Sequence, residues 1–297
     1  MVAIQKKSVA GYIFDGINAL LICSMILITL YPMLYVLFAS LSDPRHLLSH
    51  DGMLFYPVGN INLKGYELVF QNPNIMNGFR NTALYVLVGT TINVLLTALG
   101  AFVLTRKHFV IRKFCSILVL LTMFFSGGMI PTFFVVQKLG LYDNFWALVL
   151  PNAISVYNMI IMRTFFYGIP ESLEESANLE GANDWNVFVK IILPLSVPVI
   201  AVMVLYYGVG HWNSWFNAMI YLRDRTKYPL QLFLREILLQ DQVDSVAASS
   251  TELAEESLFK ELIQYSSVIV TSLPILCIYP LLQRYFVQGV MVGAVKG

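Results

Sequence analysis

Six long apolar runs constrain the fold of this chain more than any other feature of its sequence. A helix that crosses a lipid bilayer needs roughly 20 mostly apolar residues. Runs of about that length lie at 17–41, 82–105, 114–138, 146–168, 195–219 and 264–286. The composition agrees, since only 12% of the 297 residues are charged, against about 25% in an average soluble domain. The sequence therefore predicts an all-α integral membrane protein, with six transmembrane helices in a single domain over residues 1–297.

Two interpretations suit the first run, a signal peptide or a membrane anchor, because the run follows Lys6 and Lys7. The apolar core of a signal peptide is only about 7–15 residues long. The apolar stretch here, from Ala19 to Ala39, is longer than that. We therefore expect an uncleaved anchor.

Charge and motif content argue against several other classes of protein. The net charge of +1 is unlike that of a nucleic-acid-binding chain. The three cysteines lie far apart in apolar runs, so they indicate neither a disulfide framework nor a zinc site. The sequence also lacks the GxxxxGK[ST], HExxH and GxSxG motifs. We therefore expect no catalytic, metal or cofactor site in this chain.

The charges of the loops predict the orientation of the runs in the membrane. The short loop 106–113 carries four cations: Arg106, Lys107, Arg112 and Lys113. By the positive-inside rule this loop is cytoplasmic, and with six crossings so are the 169–193 loop and both termini.

Two long loops, 42–80 and 220–263, are then expected on the outer side. The first is rich in turn residues and has few helix signals. The second predicts an amphipathic helix over Leu230–Leu239 and an acidic helix around Glu252–Leu262. Docking surfaces and plain connectors both fit these patterns.

The 169–193 loop is patterned as two short helices. Pro170 suits the start of the first helix, four glutamates follow at 171, 174, 175 and 180, and Gly181 suits its end. Asn183 or Asp184 suits the cap of a second helix over 185–192. A helix that lies on lipid prefers a polar face rich in Lys and Arg, whereas the first helix here has no cation. We therefore expect it to dock on a protein partner with basic residues.

The same loop carries a motif with defined spacing. Glu175-Ser-Ala177 is followed after three residues by Gly181, after nine more by Ile191, and after one more by Leu193-Pro194. This run resembles the EAA loop of ABC importer permeases, and Ser176 is its one departure. Four further segments resemble carbohydrate permeases, above all the smaller six-crossing permease of maltose-type importers, oligosaccharide branch: 171–175, 193–198, 212–218 and 295–297.

The resemblance implies a role and a set of partners. The chain would be a permease subunit in a bacterial cell membrane, surrounded by lipid and paired with a second, homologous permease. Two ATPase subunits would bind ATP and Mg on the cytoplasmic side, and an extracytoplasmic solute-binding protein would deliver an oligosaccharide. The ATPase-coupling residues would be Glu171, Glu174, Glu175, Ala177, Gly181, Leu193 and Pro194. The C-terminal tail would contact the ATPase through Gly293, Lys296 and Gly297.

The substrate path must come from the crossings. Pathways for sugars combine aromatic rings with amide and hydroxyl groups, and the fifth run is dense in such residues. Tyr207, His211 and Ser214 share one helix face there. The candidates are Gly127, Gly128, Tyr207, His211, Trp212 and Asn213. Two alternatives stay open: an aromatic belt at the membrane edge for the fifth run, and close helix packing instead of gating for the two glycines.

Three functions compete at this point. An ATP-driven oligosaccharide importer fits the motifs best. An importer of a non-sugar solute, such as a peptide or an amino acid, would have the same importer motifs and would differ only in its cargo. A membrane-embedded enzyme needs a reactive constellation in the crossings, and the sequence offers none of the usual ones.

Overall fold

The computed structural model describes residues 9–244, 259–278 and 280. Throughout these residues the regular structure is helical and includes no strand. The chain forms two compact units, one within Met1–Gln71 and Leu238–Val270 and the other within Asn72–Ile237 and Thr271–Gly297. The prediction of an all-α fold is therefore confirmed.

The first unit begins with the long helix α1, Val9–Leu41. The most apolar part of this helix contains no buried residue. A long helix whose most apolar part is unburied within the chain is typical of a segment that faces lipid. Its start at Val9 lies several residues before the apolar run at 17–41.

Two short helices follow in the first unit: α2, Pro44–Leu48, and α3, Lys64–Gln71. The carboxylate of Asp43 caps α2 by accepting a hydrogen bond from the N–H of Arg45 at 3.0 Å. The hydroxyls of Ser40 and Tyr66, 2.6 Å apart, join α3 to the end of α1. These helices form in a loop with few helix signals in its sequence, because local capping offsets the weak helix propensity.

The second unit opens with helix α4, Pro73–Val103, which includes a π-helical turn over Tyr85–Gly89. Asn72 caps its start by accepting from the N–H of Asn74 at 3.0 Å, and proline at the first helical position needs no partner. The second apolar run, 82–105, is only the later part of this helix.

The third apolar run, 114–138, is divided into two helices. These are α5, Arg112–Phe124, and α6, Met129–Lys138, with a bend of 117° between them. Gly128 lies at the bend with φ +86°, a conformation that glycine adopts without strain. The glycine pair was expected to weaken the helix, and the break lies there.

The fourth and fifth runs are also interrupted. Run 146–168 contains α7, Trp146–Val149, and α8, Val156–Tyr167, because the chain turns at Pro151 and a new helix starts after Ser155. Helix α10, Asp184–Leu195, meets α11, Val197–Trp212, at an angle of 81°. A separate helix, α12, Phe216–Tyr221, ends the fifth run. Neither run is one continuous helix, as a simple crossing would be.

The last helices of the described chain are α13, Leu230–Asp244, and α14, Phe259–Ile278. The helix predicted over Leu230–Leu239 is confirmed. The acidic residues 252–258 and the end of the sixth run lie outside the described residues. Within the described part, three helices are long and apolar enough to cross a membrane, or five if each bent pair is one span.

The main core of the second unit joins α4, α8, α10 and α11. Its buried members include Ala98, Ala101, Phe102, Met159, Met162, Phe166, Phe188, Ile192 and Met203. The core therefore connects the helices on both sides of the 169–193 loop to α4.

Candidate functional site

The 169–193 segment has two helices at the predicted positions. Helix α9, Glu171–Leu179, starts directly after Pro170, and Gly181 reverses the chain with φ +83°. The N–H of Ala182 donates to the carbonyl of Ala177 at 2.9 Å, which closes the turn. Asn183 then caps α10 by accepting from the N–H of Asn186 at 2.8 Å. The chemistry of the turn residues therefore fixes the angle at which α9 leaves the rest of the fold.

One side of this segment packs inward and the other is exposed. Ala177 and Ala182 pack against the core, and Leu193 does so before the bend into α11. On the outer side, Leu179 is 90% exposed and Trp185 is 61% exposed. Glu175 and Glu180 are exposed beside them. Large apolar side chains exposed among acids are typical of a protein contact surface.

The loop that follows α4 pairs with the acids of the 169–193 segment. Both terminal nitrogens of Arg106 bond the two carboxylate oxygens of Glu174 at 2.7 Å. The next two residues of the loop also have acidic partners: Lys107 pairs with Glu171 at 2.5 Å, and His108 with Asp184 at 3.2 Å. The sequence assigned Glu171 and Glu174 to a partner protein, whereas the structure gives both of them partners inside the chain. Glu175 takes no part in these pairs.

A polar cavity of about 460 Å³ lies between α4, α11 and the segment that joins α7 to α8. Its polar lining comprises Asn93, Asn152, Ser155, Asn158, Tyr206, Tyr207, His211, Ser214 and Asn217. Its volume is within the roughly 300–1,000 Å³ typical of small-molecule sites. The cavity is therefore the strongest candidate for a ligand path in this unit.

Hydrogen bonds fix the side chains that line the cavity. The hydroxyl of Tyr207 lies 2.6 Å from that of Thr97 and accepts from the N–H of Ser155 at 3.0 Å. The amide nitrogen of Asn93 lies 3.3 Å from Nε2 of His211. The Asn93 carbonyl oxygen, in contrast, is buried without a hydrogen-bond partner. A buried acceptor left unpaired costs free energy until a donor reaches it, and the hydroxyl of a ligand is such a donor.

Gly89 makes room for the histidine of this cavity. A Cβ atom at Gly89 would lie 2.5 Å from Nε2 of His211. The π-helical turn that contains Gly89 therefore allows the imidazole to lie close against α4. The sequence reasoning missed this glycine, and it interpreted Asn93, Asn152 and Asn158 as buried residues that form interhelical hydrogen bonds and not as ligand contacts.

The structure brings together only two of the six predicted path residues, Tyr207 and His211, which are one helical turn apart. Successive residues of a helix point about 100° apart, so Trp212 lies on another face of α11. Its indole N–H donates to the carbonyl of Thr271 at 3.1 Å, and its ring lines a separate apolar cavity of about 610 Å³. Asn213 is exposed after the end of α11.

The remaining predicted site residues lie elsewhere. Gly127 and Gly128 are exposed at the bend between α5 and α6, away from the polar cavity lining. Pro194 lies just before the bend between α10 and α11. The tail residues Gly293, Lys296 and Gly297 lie outside the described residues.

The long apolar helices, the bent pairs and the polar cavity define an all-helical, multi-pass membrane protein. Residues 85–216 match the family model described as "binding-protein-dependent transport system inner membrane component". The chain is also 37% identical to Protein LplC of Bacillus subtilis (strain 168) over 288 residues, which cover 97% of this chain and 96% of that protein. The chain belongs to the family of binding-protein-dependent transport system inner membrane components.

Two further comparisons extend the likeness. The polygalacturonan/rhamnogalacturonan transport system permease protein YtcP of Bacillus subtilis (strain 168) is 38% identical over 272 residues, covering 91% of this chain and 94% of that protein. A chain in the crystal structure of a bacterial ABC transporter involved in the import of the acidic polysaccharide alginate is 29% identical. It matches with a TM-score of 0.85 over 95% of this chain and 99% of that chain. The resemblance to carbohydrate ABC permeases is thereby confirmed.

Proposed function

We propose that this chain is the permease subunit that moves an oligosaccharide into the cytoplasm in an ATP-driven importer. The observation that carries the proposal is the likeness, over 95% of the chain, to a subunit of an alginate importer. The named cargo of the polygalacturonan/rhamnogalacturonan permease supports the same class of substrate. A peptide or amino acid cargo has no comparable support among these relatives.

The polar cavity between α4 and α11 is the part of the sugar path that this subunit contributes. Hydroxyl groups of a sugar donate and accept hydrogen bonds, and the cavity offers both kinds of partner. The buried carbonyl oxygen of Asn93 accepts once its side chain turns toward the ligand, while the rings of Tyr207 and His211 give flat surfaces for the C–H faces of a sugar. Gly127 and Gly128 form the bend between α5 and α6, and a role for them in the path stays a prediction.

The membrane arrangement proposed here has six crossings, with both termini and the 169–193 loop in the cytoplasm. The bent pair α5 and α6 counts as one crossing, and α7 with α8 supplies another. Helix α11 supplies the fifth crossing, because most of α10 belongs to the cytoplasmic 169–193 loop. The cations of loop 106–113 support this orientation by the positive-inside rule.

The ATPase partners dock on the exposed side of α9 and the start of α10. Glu175 supplies a charge for a basic group of the ATPase, and Leu179 with Trp185 supplies the apolar contact. Gly181 shapes this surface, and the tail residues Gly293, Lys296 and Gly297 reach the ATPase separately. A second permease and a solute-binding protein complete the assembly.

Uptake by the reconstituted assembly tests the proposal. The chain is placed in liposomes with its second permease and ATPase, and the solute-binding protein is loaded with labelled oligosaccharide. We expect uptake that requires both ATP and the binding protein. Uptake of a peptide instead of sugar would contradict the cargo, and uptake without ATP would contradict the mechanism.

A further inference from the structure

Three consecutive residues of the loop after α4 have acidic partners on both helices of the 169–193 segment. Arg106 and Lys107 pair with α9, while His108 pairs with Asp184 at the start of α10. These partners are separated by 64 to 76 residues in sequence. Two loops that each connect different helices are therefore joined side by side.

The three pairs are not equivalent. Arg106 and Glu174 are 12% and 19% exposed and form two parallel hydrogen bonds. The side chains of Lys107 and Glu171 are 74% and 55% exposed. A bidentate pair shielded from water is geometrically specific, whereas an exposed pair contributes little. Arg106 with Glu174 is therefore the connection that holds the two loops.

Arg106 is also anchored on its own side of the connection. Its guanidinium lies 4.1 Å from the centre of the Phe102 ring, and that ring packs 4.9 Å from Phe188 of α10. The two carbonyls directly after the end of α4 are bonded from neighbouring helices: Tyr167 donates to Leu104, and Arg112 donates to Thr105. The end of α4 therefore has little freedom to move independently of α9.

The part of α4 around Asn93, about three turns before its end, lines the polar cavity. Asn93 and Thr97 lie on the same helix as Phe102, and the ten positions from Asn93 to the end of the helix at Val103 span about 15 Å at 1.5 Å per residue. A displacement of α9 can thus be transmitted to the cavity wall directly through α4, in addition to transmission through α10 and α11.

We propose that Arg106 is a positioning residue, which through Glu174 makes α9 and the end of α4 one lever between the ATPase and the sugar path. This inference rests on the proposed function and goes beyond it, because it assigns Glu174 to the lever and leaves Glu175 for the ATPase. Packed elements that shift as units transmit small displacements in this way.

The test uses the assembled importer in liposomes, with Arg106→Ala, Glu174→Gln and the exposed control Lys107→Ala. We expect the first two variants to lose import about tenfold, within the range typical of coupling between sites, while ATPase binding and basal ATP hydrolysis persist. More ATP is then spent per sugar imported, a ratio that a purely structural defect in assembly would not change. Lys107→Ala should import normally.

Double variants separate the lever from a direct contact with the ATPase. Arg106→Ala combined with Glu174→Gln should lose no more than either single change, and Arg106→Glu with Glu174→Arg should import more than either single reversal. Losses that multiply would overturn the proposal. So would release of the ATPase by Glu174→Gln alone, since Glu174 would then contact the partner itself.

Hydrogen exchange distinguishes a failed lever from a failed cargo assignment. In the same assembly, the amides of α9 should exchange faster in Arg106→Ala than in Lys107→Ala. Unchanged exchange would overturn the lever. A wild-type assembly that imports no oligosaccharide would contradict the proposed function and would leave this measurement valid.

Discussion

At the scale of single residues, the site depends on buried polar groups that bond to one another. Thr97, Tyr207 and the N–H of Ser155 satisfy one another, so they hold the wall of the cavity in place. The carbonyl oxygen of Asn93 is buried and unpaired. A satisfied network fixes a shape, and an unsatisfied group within it provides binding energy for a ligand that bonds to it.

Asn93→Leu tests the role of this carbonyl oxygen. Leucine has a similar size and cannot accept a hydrogen bond, and one lost bond of about 1 kcal/mol corresponds to about a fivefold weaker interaction. We expect uptake at low sugar concentration to fall by about that factor. Thr91→Val is the matched control, because Thr91 is on the same helix and lines the apolar cavity instead. Equal uptake by the two variants would remove Asn93 from the path.

Gly89→Ala tests the fit of the histidine. The added Cβ would meet the His211 ring at 2.5 Å, so the imidazole or the π-helical turn must shift. We expect a loss of sugar uptake comparable with that of His211→Ala. Gly208→Ala serves as the control, since a Cβ there meets its nearest atom at an ordinary 3.8 Å. A normal uptake rate in Gly89→Ala would show that the position of the imidazole is unimportant.

At the scale of elements, the bent apolar helices show which features can be predicted from the sequence and which cannot. The length of an apolar run is a local property, so the sequence alone predicts it. The bend between α5 and α6 is also predictable, because it lies at Gly128, a glycine with a positive φ. The start of α4 depends on a cap, Asn72, that lies in a turn-rich stretch and was overlooked. The pairing of Arg106 with Glu174 joins residues 68 positions apart, and no periodicity encodes such a contact. Helical spacing placed Tyr207 beside His211 correctly, but it could not show which face of α11 meets a cavity.

Gly181→Val tests the turn between α9 and α10. A β-branched residue at φ +83° is strained, and the left-handed conformation costs about 1–2 kcal/mol even for an ordinary side chain. A Cβ there meets no neighbour within 4 Å, so the effect is conformational and not steric. We expect weaker ATPase binding in a pull-down from membranes. Asn, which tolerates this conformation better, should retain more binding, and equal binding by Val and Asn would contradict the argument.

A second element, the loop around Asp143, predicts a dependence of stability on pH. The N–H groups of Asp224 and Arg223 donate to the Asp143 carboxylate at 3.0 and 3.1 Å, and Lys227 lies 3.2 Å from it. These contacts favour the charged form and lower the pKa of Asp143 below its usual value of 3.8. Because the pKa is lower in the folded state, the stabilisation is present above about pH 4 and is lost as the pH falls through the folded pKa.

Thermal unfolding of purified protein in detergent checks this dependence. Asp143→Asn keeps one acceptor and loses the charge, so at neutral pH it should unfold at a lower temperature than the wild type. The difference should shrink as the pH is lowered below about 4. A difference that stays constant over that range would assign the effect to shape and not to charge.

At the scale of the whole molecule, the chain has exposed apolar surfaces of the kind that contact lipid or partner proteins. Helix α1 buries none of its most apolar stretch, and the outer side of α9 exposes Leu179 and Trp185 among acids. Its relatives are components of binding-protein-dependent transport systems and match it over nearly their whole length. A chain with unburied apolar surfaces and a polar cavity suits an inner membrane component of a transport system.

The central claim is that sugar passes this subunit through the polar cavity between α4 and α11. The most direct test is a structure of the assembled importer trapped with its oligosaccharide. We predict density for a sugar ring within hydrogen-bonding distance of Asn93, Tyr207 or His211. Sugar bound only by the second permease, with this cavity filled by lipid or by side chains, would contradict the claim.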